Sequence, residues 1–434
     1  MMAEILFVLC LITPAIGLAI IGLLLLIQPK LSEFLVSRIT STTAKLSLAF
    51  STLLIPVLFV HPEGLELHGF RLIKVGEYHL NFSFVLHSLE LAFLWLSNAI
   101  FVLIAMYSRT YLHREKAFHR FHLLFLAAMF GVSIIATAEG LDVLLIGWEF
   151  IGIASVLLIA FYGHRDTPLD NALQVYRVYR YSDVAMLLSV ILLHHFAQHA
   201  NLHSISELHD THLFWVMLLI VIAAMGKGGI FPFTYWVPKA MEGPTPSSAL
   251  FYGSISIHLS PLLLLRTMPE IHEASLVHWI VIGLGGLTAL YATMVGRVQS
   301  DAKAIIAFGT VTQIGLIWME IGMGWYLLAM VHIFANATMR AHQLLRAPSW
   351  LAQRQSIIQH KRAYPSENHG YLSFLPKSIR RSFYTLNLER WYLEEIWNWI
   401  ISIFLGSIEM INTLEEKWRD VLEGQPNTKE EQRK

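Results

Sequence analysis

Two ionisable side chains stand inside apolar runs long enough to cross a bilayer: Glu149, within 141–162, and Lys227, within 213–230. A charge at such depth costs at least ~2.5–3.5 kcal/mol on insertion scales, so it carries a task or holds a partner. An acid and a base so placed suit an ion or proton path. The alternative is a static ion pair that clips two helices together. Arg180 and Asp183 lie three apart at the start of a further span, one helical neighbour pair, and are expected to act as an electrostatic neighbour of the Glu149 helix.

A second polar set follows. His332, Asn336 and Arg340 recur every four residues and therefore share one helix face. His332 lies mid-span, where an imidazole either relays protons near neutral pH or makes one satisfied hydrogen bond in the core. Within 246–265, Tyr252, Ser254, Ser256, His258 and Ser260 form a polar stripe. Serines pack helices closely as often as they hold water, so the stripe by itself decides little, and His258 is open to the same two readings as His332. Glu139 and Glu320 fall at span ends and are expected to be solvated. Six histidines, 194, 195, 199, 203, 209 and 212, crowd one loop. Without an organised set of supporting ligands they read as solvated imidazoles rather than a metal site.

The elements that carry these residues are membrane helices. The chain has 434 residues, 55% of them hydrophobic and 14% charged, with a mean hydropathy of +0.54. Several runs reach the ~20 apolar residues that span hydrocarbon. The first, 5–27, has no basic segment before it and is read as a retained helix rather than a signal peptide. Further spans are expected near 44–61, 82–108, 121–138, 141–162, 178–197, 213–231, 246–265, 275–296, 304–319 and 323–339, with a last apolar stretch near 396–413. The fold class is all-α, a polytopic transmembrane protein of about 11–12 spans. Net charge is zero and a single Cys10 lies inside the first span, which leaves no disulfide framework or thiolate metal site. No glycine-rich phosphate loop follows a strand, so no cofactor, metal or nucleic acid is expected.

Loop charge gives a topology. Segments 29–43, 109–120, 163–180 and 297–303 hold most of the basic residues, among them Lys30, Arg114, Arg165 and Arg297, whereas the opposite loops hold Arg71, Lys74 and Arg266. The positive-inside rule places the first set in the cytoplasm and the N-terminus outside. Residues 340–390, with nine Lys and Arg, are then cytoplasmic and are the expected docking face for a soluble partner. Gly228, Gly229, Pro232, Pro238 and the run 242–246 break helix near 227–246, beside Lys227. Irregular backbone at membrane depth survives only when buried in protein or lining a wet cavity, an arrangement that suits a gated ion site. Lys227 snorkelling from a helix end is the plainer alternative. The chain divides into N-terminal helices (1–120), a translocation core (121–345), a basic segment (346–390) and an aromatic, acidic tail (391–434) that lies at or crosses the interface.

The runs LLIGWEFIGIASVLLIAFY, VYRYSDVAMLL, GKGGIFPFTYWVPKAMEGPTPSSAL, DAKAIIAFGTVTQIGLIW and AMVHIFANATMRA together resemble the proton-conducting antiporter-like subunits of respiratory complex I and of Mrp-type cation/proton antiporters, above all the large distal subunit of complex I. The likeness covers roughly 80–345. It implies that Glu149 matches the family's fifth-helix glutamate, Lys227 the lysine at the broken seventh helix, Arg180 and Asp183 the sixth-helix pair, and His332 a central histidine. Where the family has a second central lysine this chain has Asn336, and where it has an eighth-helix histidine this chain has Tyr252. About four helices of the family pattern are not recognised before the tail, so its usual exit route is not expected; His258 or Arg340 would have to substitute. The implied function is a membrane subunit that conducts protons or couples to a proton or cation gradient in a bacterial inner membrane. Short members of the superfamily pair with a soluble, carbonic-anhydrase-like zinc subunit to accumulate inorganic carbon, and that partner class is the one expected. A subunit of an antiporter or of a complex I or hydrogenase-type pump, and a non-conducting anchor, are the alternatives.

Overall fold

A backbone in hydrocarbon must pair its own N–H and C=O groups, and the apolar runs accordingly fold into helices. A computed structural model describes residues 2–75, 78–198, 200–271, 275–347 and 376–423. The membrane unit contains α1 (Met2–Ile27), α2 (Glu33–Val60), α3 (Ser88–Tyr111), α4 (Phe118–Thr137), α5 (Leu141–Ile159), α6 (Asp166–Ala197) and α7 (Asp210–Gly228). After a break come α8 (Thr245–Ser248), α9 (Leu259–Thr267), α10 (Leu276–Gly296), α11 (Ala302–Gly322) and α12 (Tyr326–Arg346). Among the described residues nine helical segments are long and apolar enough to cross a membrane. The polar faces of α6 and α12 keep those two helices out of that set. The basic segment expected at 346–390 lies mostly outside the described residues, as does His199.

One expected boundary is displaced. The span read from residue 82 begins at Ser88, because β1 (Leu65–Val75) and β2 (Tyr78–Leu86) form an antiparallel hairpin ahead of it. Residues 65–68 and 81–84 alternate apolar and polar side chains, the period of a strand, and Leu65 pairs with Leu86 and Leu67 with Phe84. A two-stranded ribbon is marginal alone. This one is tied to the α4–α5 turn by a Phe84–Ala138 bridge and by the Glu139 N–H donating to the Ser83 carbonyl at 3.1 Å.

Small residues let helices approach closely where hydrocarbon offers no hydrophobic drive. A Cβ on Gly285 of α10 would lie 2.5 Å from the Gly315 carbonyl oxygen of α11, so neither position accepts a side chain. Arg266, counted above among loop cations, is buried on α9. Its Nε meets Glu90 Oε1 of α3 at 3.2 Å, Nη1 donates to the Ile135 carbonyl at 2.9 Å, and Nη2 donates to that of Ala138. Carbonyls left free at the end of α4 thus find a donor.

The break falls where Pro and Gly placed it. Gly229 adopts a left-handed conformation (φ 59°, ψ 36°) that ends α7. Two short 3₁₀ turns, Phe233–Trp236 and Lys239–Glu242, carry the chain to α8. The exposed polar backbone is satisfied locally: Trp236 Nε1 donates to the Gly226 carbonyl at 3.1 Å and the Phe231 N–H to Thr288 Oγ1 at 3.0 Å. Irregularity extends further than expected, through a π-helical stretch at Ala249–Ser254 and a 3₁₀ turn at Ser256–His258, all of it buried.

A second unit, taken by itself, contains α13 (Lys377–Leu388) and α14 (Leu393–Glu423). The apolar stretch 396–413 lies inside α14, which is not among the nine candidate spans. Its exposed Ile396, Trp399, Ile403, Met410, Leu414 and Trp418 fall on one face of the helix, the pattern of an interfacial segment.

Candidate functional site

Glu149 and Lys227 do not touch. α5 and α6 run side by side, and Arg180 on α6 lies between two carboxylates: Nη2 donates to Glu149 Oε2 of α5 and, at 2.7 Å, to Asp183 Oδ2 one turn along its own helix. The other oxygen of Asp183, Oδ1, accepts from Trp148 Nε1 at 2.9 Å. The carbonyl oxygen of the same Trp148 accepts from Lys227 Nζ at 2.9 Å. Acid and base are therefore linked in series, Glu149–Arg180–Asp183–Trp148–Lys227.

Lys227 is fully buried. Its Nζ sits 4.4 Å from the centroid of the Tyr179 ring and 5.1 Å from that of Trp148, so π faces supply the rest of its electrostatic partner. Among the described residues no carboxylate comes within salt-bridging distance of it. A Cβ on Gly152 would lie 2.8 Å from Nζ, and the space for the ammonium exists because that residue is glycine. A direct Glu149–Lys227 clip is thus absent, and Lys227 does not snorkel to a helix end. Ring contacts continue from Tyr179 to Trp236 (5.4 Å) and on to Tyr252 (5.6 Å), which leads from the Lys227 pocket to the irregular segment.

The second set divides in two. Asn336 and Arg340 of α12 meet His258: Asn336 Nδ2 lies 3.0 Å from His258 Nε2, and Arg340 Nε donates to Asn336 Oδ1 at 3.3 Å. Arg340 is also held by Gln343 Oε1 at 2.7 Å and the Gly309 carbonyl at 3.1 Å. His332 does not join them. Its Nδ1 faces Glu320 Oε1 at 2.9 Å and its Nε2 faces Gln313 Oε1 at 2.8 Å, both on α11. Glu320 is therefore not solvated as its span-end position suggested. Glu139 is half-buried, and its Oε1 accepts from Asn201 Nδ2 at 2.8 Å.

Trp148, Tyr179, Gly152 and Gln313 were not singled out in the sequence. One signal was legible: the short link 323–325 folds α12 back along α11, so residues near the two facing helix ends, Glu320 and His332 among them, come close. Of the histidine-rich loop, His194 lies 3.6 Å from Asp142, His203 Nδ1 lies 3.0 Å from Glu270 Oε1, and His212 stacks on Phe196 with centroids 3.7 Å apart. Among the described residues no group of three or more His, Cys, Asp or Glu is disposed to hold a metal ion.

The profile described as "NADH:quinone oxidoreductase/Mrp antiporter, TM" matches residues 138–364, and that of "NADH-Ubiquinone oxidoreductase (complex I), chain 5 N-terminus" matches residues 72–122. The chain belongs to the NADH:quinone oxidoreductase/Mrp antiporter transmembrane family. Relatives include NADH-ubiquinone oxidoreductase chain 5 of Yarrowia lipolytica, 30% identical over 320 residues that make up 73% of this chain and 48% of that one. The same protein of Balaenoptera musculus is 32% identical over 295 residues, 68% of this chain and 49% of that one. The chain spans about half the length of these curated relatives. Its fold is shared with a chain of the Mrp complex from Dietzia sp. DQ12-45-1b, with TM-score 0.67, 20% identity, and coverage of 79% of this chain and 37% of that one. A chain of the membrane-bound sulfane sulfur reductase, an archaeal respiratory membrane complex, gives TM-score 0.67 at 16% identity, covering 78% of this chain and 70% of that one.

Proposed function

We propose that this chain is the membrane subunit of a larger complex and moves protons, or couples to a proton or cation gradient, through Glu149, Arg180, Asp183 and Lys227. The carrying observation is the series arrangement: Arg180 is shared by two carboxylates, and one of those carboxylates connects through Trp148 to a lysine without an acid of its own. Two unit charges 4 Å apart interact by about 4 kcal/mol at an effective dielectric of 20. Any movement of Arg180 away from Asp183 therefore exposes Lys227 to an unmasked negative charge and favours its protonated form, while the return of Arg180 favours release. A partner subunit is implied by exposure. The Arg180 and Glu149 side chains are 35% and 30% exposed in this chain, at a depth where lipid would solvate them poorly.

The test is proton flux in vesicles holding the chain with its natural partners. Glu149→Gln and Lys227→Ala are each expected to abolish flux while the protein still inserts and co-purifies. Wild-type activity in the double variant Glu149→Gln, Lys227→Met would mean that neither charge carries the flux.

Within this reading we favour a complex that accumulates CO₂ or bicarbonate with a soluble, carbonic-anhydrase-like zinc subunit docked at residues 340–390. Support comes from the basic character of that segment and from the positive-inside assignment, which also puts the N-terminus outside. In cells without other carbon uptake, co-expression with the partner should restore growth in air, and a protonophore should stop accumulation of labelled inorganic carbon. Sodium-dependent proton movement with no carbon accumulation would favour an antiporter instead; neither activity would leave a membrane anchor.

A further inference from the structure

Asn336 stands where a titratable relay would be expected on a proton path, yet an amide neither gains nor loses a proton at physiological pH. We infer that Asn336 is a gate: its side chain locks His258 as the neutral Nδ1–H tautomer, and the amide must turn over before a proton can pass between His258 and α12. The gate rests on the transport reading above but makes a separate structural claim.

The orientation is dictated from both ends. Arg340 has only donors, so the Asn336 atom 3.3 Å from its Nε is the oxygen. The amide nitrogen then faces His258 Nε2 at 3.0 Å, and that ring nitrogen must offer a lone pair. At the far side of the ring, Nδ1 faces the Ser254 carbonyl oxygen, which only accepts, so Nδ1 carries the hydrogen. In a regular α-helix that carbonyl would be taken by the backbone N–H of His258. Here the His258 N–H donates instead to the Ile255 carbonyl at 3.0 Å, because π and 3₁₀ turns replace the α-helical ladder. The backbone irregularity thus supplies the acceptor that sets the tautomer. Water does not compete: His258 is fully buried and Asn336 is 5% exposed.

A proton arriving on Nε2 would set one N–H against another. Rotating the amide relieves this by presenting Oδ1 to His258, at the expense of the Arg340 Nε bond. Arg340 keeps its bonds to Gln343 and Gly309, so the turned state is not stranded. Arg340 and His332, both from α12, are the charged or titratable groups that act on His258. Among the described residues no carboxylate lies within salt-bridging distance of His258 or Arg340.

The experiment uses the complex in lipid, with ¹⁵N-histidine solid-state NMR and His258→Gln to assign the signal. At pH 7 the wild type should show His258 as the Nδ1–H tautomer. Asn336→Asp replaces the donor with a carboxylate that accepts from Nε2–H, so the His258 signal should move to the doubly protonated form. Proton flux at a fixed gradient should rise about tenfold, the rate equivalent of one neutral hydrogen bond removed from the barrier. Arg340→Gln removes the donor-only neighbour and frees the amide to turn, while the Ser254 carbonyl still holds Nδ1–H, so the tautomer should persist and flux should rise. A wild-type Nε2–H tautomer or imidazolium at pH 7 overturns the gate, as does an unchanged tautomer or an unchanged or lower flux in Asn336→Asp. Undiminished flux in Lys227→Ala, with the wild-type tautomer intact, overturns the transport reading instead.

Discussion

Trp148 separates Glu149 from Lys227 and also joins them, its indole on Asp183 and its carbonyl on the ammonium. This double use gives a prediction at the level of single atoms. Trp148→Phe keeps the carbonyl and an aromatic face but removes the donor to Asp183. It should slow flux without unfolding the protein, measured as a reduced rate in vesicles with an unchanged thermal midpoint; an unaltered rate would remove the indole from the mechanism. Gly152→Val tests the pocket itself. The new Cβ would lie 2.8 Å from Lys227 Nζ, and overpacking of this kind costs about 1–3 kcal/mol. Lower thermal stability together with lost flux is expected, and a fully active, fully stable variant would show that Lys227 does not need this position. The type and depth of both charged residues could be read from the sequence. Their separation by a tryptophan carbonyl could not, because a hydrogen bond to a backbone atom leaves no trace in residue identity.

Whole elements are held by pairs that bridge them. Glu90 of α3 and Arg266 of α9 are buried to 8% and 2% side-chain exposure and are the ionic link between these helices. Removing one partner of such a pair costs about 3–5 kcal/mol, whereas replacing both by apolar residues is often close to neutral. Arg266→Met should therefore lower the unfolding midpoint in detergent sharply, and Glu90→Leu with Arg266→Met should recover much of the loss. Equal midpoints for wild type and Arg266→Met would mean that neither the ion pair nor the carbonyl bonds of Arg266 stabilise the bundle, whereas no recovery in the double variant would mean that the carbonyl bonds, rather than Glu90, are what matters. At the α11–α12 turn, His332→Leu leaves Glu320 without its imidazole. If His332 relays protons, flux falls in that variant, and unchanged flux places the path elsewhere.

At the scale of the molecule, the unit presents a mid-membrane ion cluster at its own flank. Glu149 and Arg180 are a third exposed beside Phe150, Ile153, Tyr176 and Val184, all of which face outward. A neighbouring membrane chain covering this flank should protect it. Cysteine placed at Ile153 is expected to react with a membrane-permeant maleimide in the isolated chain and to be shielded in the complex, as measured by labelling yield. Equal labelling in both would put the partner on another side.

Periodicity and Gly and Pro placement were enough to determine a polytopic helical membrane protein with its broken seventh helix, and the depth of isolated charges singled out Glu149 and Lys227. These are properties of the chain along one dimension: hydrocarbon forces helices, and proline and glycine stop them wherever they occur. Tertiary structure alone decided who meets whom. His332, Asn336 and Arg340 share a helix face by spacing, yet His332 bonds to α11 while Asn336 reaches His258, because successive turns of one helix meet different neighbours in a packed bundle. The hairpin at 65–86 was read in part as the start of a span, since its β2 residues run directly into the apolar α3 and only pairing with β1 separates them. The π-helical turn that orients His258 was likewise invisible in sequence: it exists because helix packing satisfies the backbone groups that an interrupted ladder leaves free.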